Sequence, residues 1–151
     1  MIRQFRVEDA LPCSDLIRAS VKEDISISDS LRTGILATET PQSMIERASL
    51  YYLAVYERES RILGIAGLDL NEVRLLFVSP PYRGAGIGRA LIEHIKAVVP
   101  ATFFADIFVY ASTQSVEFYK SCGFVEGGTV EFDVGKEKLH TVFMTFLIRK
   151  I

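Results

Sequence analysis

Between residues 73 and 100 the sequence leaves the chain little choice. Val73 to Val78 is nearly all apolar, which suits a strand near the middle of a sheet, covered on both faces. Ser79-Pro80-Pro81-Tyr82 ends it, because proline has no N–H to give a ladder. Arg83-Gly84-Ala85-Gly86-Ile87-Gly88 then sets glycine at three alternate positions. Ile87 to Val99 follows, with apolar residues at Ile87, Leu91, Ile92, Ile95, Val98 and Val99. That spacing predicts a helix with one buried face, stopped by Pro100. A buried strand, a tight turn and an amphipathic helix in this order are the start of an α/β layer structure.

The turn has chemistry of its own. Glycine lets backbone N–H groups converge without side chains in the way. A helix N-terminus adds unsatisfied donors and a partial positive charge. Together they make an anion site suited to phosphate, with Arg83 as a cation beside it. A dinucleotide fingerprint needs G-x-G-x-x-G, but the last position is Arg89 counted from Gly84 and Leu91 counted from Gly86. A P-loop needs a lysine after its last glycine, and Arg89 stands there. The glycines alone are also compatible with a structural turn that holds no ligand.

The rest of the chain alternates readably. Ile2 to Phe5 reads as a short strand, and Glu8-Asp9 as the acidic start of a helix through Leu16, Ile17 and Val21. Ser26 to Thr40 predicts a loop or a short helix. Ser43 to Ser49 predicts another helix, with Pro41 near its first turn. Strands are expected over Tyr51–Tyr56, Arg61–Leu70 and Val73–Val78, and again over Phe103–Tyr110. A short helix, Ser115 to Ser121, ends at Gly123. Phe124–Val134 and His140–Ile148 form a last pair of strands around the polar turn Gly135-Lys136-Glu137-Lys138. The expected class is α/β (α+β), a mixed sheet flanked by helices. With 151 residues and no linker-like stretch, one domain from end to end is expected.

Bulk properties narrow the partners. The formal net charge is -2 at pH 7 and there is no Lys/Arg-rich run, so neither nucleic acid nor an anionic membrane is expected as the main partner. No apolar run approaches a membrane span, and the N-terminus lacks the apolar core of a signal peptide. Two cysteines, Cys13 and Cys122, make neither a disulfide framework nor a zinc spacing. No metal is expected, and the expected location is cytoplasmic.

One strand beyond the glycine turn lies Phe118-Tyr119-Lys120-Ser121-Cys122-Gly123-Phe124. Here the chain resembles the GCN5-related N-acetyltransferase (GNAT) family. That family's R-x-x-G-x-G/A is matched by Arg83, Gly86 and Gly88, and its F-Y-x-x-x-G-F by Phe118, Tyr119, Gly123 and Phe124. The order of elements agrees over nearly the whole chain. The resemblance implies a mixed, mostly antiparallel sheet with a splayed central strand pair holding the pantetheine arm of acetyl-CoA, a co-substrate here. Backbone groups of Leu76, Phe77 and Val78 would bind that arm, with the Val78 N–H polarising the thioester carbonyl. Backbone N–H groups of Arg83, Gly84, Ala85, Gly86, Ile87 and Gly88 would hold the pyrophosphate.

The same resemblance implies acetyl transfer to a primary amine by direct attack in a ternary complex, the amine belonging to a small molecule or a peptide. Tyr119 matches the family's acid for the leaving thiolate; its bland alternative is an aromatic packed under the sheet. Glu72, just before the central strand, is the candidate base, or else a solvated turn residue. Many members carry asparagine where this chain has Ser112, which keeps one hydrogen bond to the cofactor arm with shorter reach. His140 opens the last strand as a candidate substrate contact. A homodimer is compatible with the family. The alternative function is a non-catalytic acyl-CoA-binding sensor or interaction module.

Other residues read as structure. His94 shares the polar side of its helix with Arg89, Glu93 and Lys96 and is expected on the solvated surface. Cys122 is expected to pack at the end of its helix rather than act as a nucleophile. Glu23, Asp24 and Asp29 could attract a cationic amine but are expected to form a solvated acidic face.

Overall fold

The computed structural model describes residues 1–148. Strand β1 (Ile2–Gln4) leads through a single tight turn (Val7–Asp9) into helix α1 (Ala10–Glu23). Helices α2 (Asp29–Thr38) and α3 (Pro41–Leu50) follow, then strands β2 (Tyr52–Arg58), β3 (Arg61–Asp69) and β4 (Glu72–Val78). Helix α4 (Ile87–Val98), strand β5 (Asp106–Ser112), helix α5 (Val116–Ser121) and strands β6 (Val125–Val134) and β7 (Glu137–Leu147) complete the chain. The seven strands form one sheet in the order β1-β2-β3-β4-β5-β7-β6, and all neighbours run antiparallel except β4 and β5.

This is the mixed, mostly antiparallel sheet expected, with β4 at its centre. One open local expectation is settled and two change. The Ser26–Thr40 segment contains a ten-residue helix, α2, started by the Ser28 hydroxyl, which accepts from the Leu31 N–H; serine at an N-cap satisfies a helix donor that has no other partner. The strand expected from Phe103 begins only at Asp106, and Phe103 is 81% exposed in the turn before it. Val98, counted on the buried face of α4, is exposed, because the helix ends there and only Val99 turns back to the core.

Two apolar layers enclose the sheet. On one side α4 buries Ile87, Leu91, Ile92 and Ile95 against Ala66, Val73, Ile107 and Val109. On the other, α1 and α3 bury Cys13, Leu16, Ile17 and Met44 against Leu53, Val55 and Ile65. A Cβ on Gly64 would lie 2.9 Å from both Ile87 and Leu91, so this glycine sets how closely the start of α4 approaches β3. That approach holds the glycine turn against the sheet.

The central pair barely touches. β4 and β5 share the single pairing Glu72↔Phe108, with the Phe108 N–H bonded to the Asn71 carbonyl at 3.0 Å. Beyond it the strands part, whereas β4 stays paired with β3 as far as Val78. An interior strand offers alternate backbone groups to each neighbour, so the far half of β4 turns unpaired donors and acceptors toward the gap. The splay expected of the central pair is present.

Candidate active site

The glycine turn has the geometry its sequence demands. Gly84 and Gly86 adopt φ of +80° and +87°, a left-handed conformation that costs other residues about 1–2 kcal/mol. Gly86 is the residue before α4, and its carbonyl takes the helix's first bond from the Ala90 N–H at 3.0 Å. The first N–H groups of α4 have no partner within the helix and point out of its end. Nothing lies within 4 Å of where a Cβ on Gly84 or Gly86 would sit. The turn therefore borders open space with its donors exposed, as an incoming phosphate requires.

That space is a groove of about 640 Å³ running from the turn into the β4–β5 gap. Leu76, Phe77, Val78, Arg83, Gly84, Gly86, Ile87, Gly88 and Ser112 line it. Ala85 does not. Arg83 pairs with Glu23 at 3.5 Å, both side chains about half exposed. The Ser112 hydroxyl bonds Ser115 at 2.8 Å, so it reaches its own loop first. The groove is long, has one anion-seeking end, and presents unpaired backbone along its other half. A nucleotide tail joined to an extended amide-bearing arm fits it.

A second cavity of about 630 Å³ lies on the α1–α2 side. Ile17 and Val21 from α1, Leu31 and Ile35 from α2, Leu75 and Phe77 from β4, and Leu139 from β7 give it an apolar wall. The Ser28 hydroxyl, besides starting α2, donates to Glu137 of the β6–β7 hairpin, which ties the two sides together over this cavity. His140 lines it, and its Nδ1 lies 3.1 Å from Glu131. Asp24, Phe77 and Ser112 line both cavities, so groove and cavity meet there.

The two candidate proton-handling groups lie off those surfaces. Glu72 is the first residue of β4 and its side chain is 22% exposed. Burial raises its pKa above the ordinary carboxylate value; Arg74 at 3.8 Å pulls it down and Asp69 pushes it up. Arg74 lines the second cavity, whereas Glu72 lines neither. Tyr119 is 5% exposed, its ring between Phe118 and Phe124 at centroid distances of 5.2 and 5.3 Å. Its hydroxyl makes no hydrogen bond among the described residues and is not among their fully occluded, unpartnered polar atoms. Burial, with Cys122 adding, pushes its pKa above the ordinary phenol range. The neighbouring Phe118 lines the groove instead.

Asp24 was set aside in the sequence as part of a solvated acidic face, and the structure places it at the junction. His94 also departs from expectation. It is half-buried, with Nε2 2.7 Å from the Tyr52 hydroxyl and its ring stacked on that tyrosine, and burial lowers its pKa. Cys13 and Cys122 are buried and free, and burial pushes the Cys13 thiol up to about 12. No group of three or more His, Cys, Asp or Glu side chains is placed to hold a metal ion among the described residues. No helix among them is long and apolar enough to cross a membrane.

Fold and groove together define a class of α/β proteins in which a splayed central strand faces a glycine-turned helix. The comparisons make this specific: residues 20–141 match the family described as the acetyltransferase (GNAT) domain, and the chain belongs to the GCN5-related N-acetyltransferase family. The peptidyl-lysine N-acetyltransferase YjaB of Escherichia coli K12 is 34% identical over 92 residues, covering 61% of this chain and 60% of that protein. The chain thus matches somewhat under two thirds of that relative's length. A GCN5-related N-acetyltransferase from Rhodopseudomonas palustris superposes with a TM-score of 0.88 at 22% identity, over 97% of this chain and 94% of that one. The yncA protein of Salmonella typhimurium, solved with its cofactor acetyl-CoA, superposes with a TM-score of 0.73 at 18% identity, over 100% and 95% of the two chains.

Proposed function

We propose that this protein transfers an acetyl group from acetyl-CoA to a primary amine. The observation that carries the reading is the meeting of the two cavities at Asp24, Phe77 and Ser112, beside the half of β4 that β5 leaves unpaired. One cavity suits a phosphate-tailed thioester. The other suits an amine on an apolar body, from a small molecule or a peptide. At their junction an amine nitrogen can reach a thioester carbon with both molecules bound.

The chain's own groups then divide the work. N–H groups from Arg83 to Gly88 hold the pyrophosphate at the start of α4. Backbone of Leu76 and Val78 holds the extended arm, whereas Phe77, expected with them, turns its backbone to Ile65 of β3. The Val78 N–H faces the thioester oxygen, where negative charge develops. The acceptor nitrogen forms a bond to the acetyl carbon and the carbon–sulfur bond breaks. An acceptor that arrives as an ammonium first gives up one proton, toward Glu72 directly or through water. After attack the nitrogen loses a second proton to solvent, and the departing sulfur gains one from the Tyr119 hydroxyl, which solvent reprotonates. Neither side chain lines a cavity wall, so both assignments call for bridging water or for movement of the side chain.

The test is an acetylation assay over a panel of primary amines, including small alkyl and aryl amines and lysine peptides, with product mass and thiol release measured together. Acetylated amine with stoichiometric thiol supports the reading. CoA binding without thiol release on any amine would leave an acyl-CoA-binding module, and no thermal shift with CoA would remove the ligand altogether.

A further inference from the structure

We infer that Asp24 is the anionic seat for the acceptor's ammonium group, so that this protein selects acceptors that arrive as cations on an apolar stem. The inference rests on the acetyltransferase reading above. Three residues line both cavities, and among them only Asp24 carries an ionisable side chain. It stands at the C-terminal end of α1, just past the last turn. One carboxylate oxygen accepts from the Ser26 N–H at 2.9 Å and from the Ser26 hydroxyl at 2.6 Å. These bonds fix the group's direction, and its other oxygen has no protein donor among the described residues. Among the described residues no lysine or arginine pairs with this carboxylate: Arg32 bonds the Asp24 main-chain carbonyl and pairs with Asp29, and neighbouring Glu23 pairs with Arg83.

The surroundings fit a cationic head on an apolar stem. Ile17, Val21, Ile27, Leu31 and Phe77 form the wall beside Asp24. A primary amine is almost wholly protonated at neutral pH, since its ordinary pKa is about 10.4 for a lysine side chain. A free carboxylate at the mouth gathers that form and brings the nitrogen to the junction, where its proton can then be removed. Placed beside the groove, the same charge also discourages an anionic acceptor from entering.

The test is steady-state kinetics of Asp24→Asn and Asp24→Glu against the best amine found for the wild type, together with CoA binding by each variant. Asp24→Asn should raise KM for the amine about 10-fold or more, as loss of a charge-assisted bond does. KM for acetyl-CoA should stay within about 2-fold, and Asp24→Glu should recover part of the amine affinity. A wild-type amine KM in Asp24→Asn overturns the assignment while leaving the acetyltransferase reading intact. Equal losses in amine and CoA binding also overturn it, by showing a general disturbance of the α1 end. A wild type that binds CoA but acetylates no amine overturns both.

Discussion

The Glu72 carboxylate lies 3.8 Å from the Arg74 guanidinium, which also reaches Asp69 at 3.4 Å. Burial raises the Glu72 pKa and Arg74 opposes that rise. A base must be ionised to act, so with Glu72 as base the rate falls as pH drops through a value above the ordinary carboxylate range. Arg74→Ala removes the opposing charge and should move that acidic limb further up in pH. Glu72→Gln should lower kcat about 100-fold near neutrality. Its deficit should narrow at high pH, where the acceptor is already a free amine. A pH–rate profile of the three proteins checks this; coincident wild-type and Glu72→Gln profiles would take the base role away.

Arg83 pairs with Glu23 at 3.5 Å, with both side chains about half exposed. Under the proposed function, a pyrophosphate at the start of α4 would compete for the same guanidinium. An exposed pair is worth under about 1 kcal/mol, so Glu23→Gln should tighten CoA binding by about 2- to 5-fold at low salt. The gain should vanish near 1 M salt, where the Debye length is about 3 Å. Arg83→Ala should weaken binding about 10-fold. Calorimetric titration of CoA at two ionic strengths measures both changes.

How much of this was legible beforehand differs by kind of feature. The central strand, the glycine turn and α4 are written in local spacing and keep their places, but only Val73 of the strand is buried, because β5 leaves its far half uncovered. Motif residues expected to act through backbone, such as Gly84, Gly86 and Gly88, line the groove, because their conformation is a local property. Asp24 was not legible. Its position at the junction depends on where the end of α1 meets β4 in space, and sequence shows only one acid among several. His94 failed for a similar reason: its helix face is polar in one dimension, but Tyr52 of β2 reaches across to cover it. Phe103 looks like a strand residue, yet the turn after Pro100 delays β5 to Asp106.

Tyr119 separates packing from chemistry. Its ring is buried between two phenylalanines, but its hydroxyl bonds to nothing among the described residues. Tyr119→Phe removes only that oxygen, so the melting temperature should move by no more than about 2 °C. With Tyr119 as the proton donor to sulfur, kcat should fall about 100-fold with KM for acetyl-CoA nearly unchanged. Wild-type turnover in a variant that melts normally would reduce Tyr119 to a packing residue and pass the proton to water.

The start of the chain is pinned by a charged group that should report on acid stability. Asp9 is 5% exposed and accepts from Arg3 through Nη1 at 2.8 Å and Nη2 at 2.9 Å, and from the Arg6 N–H at 2.8 Å. Burial alone would raise its pKa, but the bonds from Arg3 and Arg6 win and hold it below the ordinary value. A carboxylate with a lower pKa folded than unfolded adds stability above the unfolded value, near 3.9, and that stability is lost as pH falls through the folded one. Asp9→Asn should therefore cost roughly 2–3 kcal/mol at pH 7. The deficit should shrink only below about pH 4, as the wild-type carboxylate itself becomes protonated. Urea melts of both proteins from pH 7 down to about 3 would show the two stabilities converging. A deficit that stays constant over that range would assign the loss to altered packing around the amide rather than to the charge.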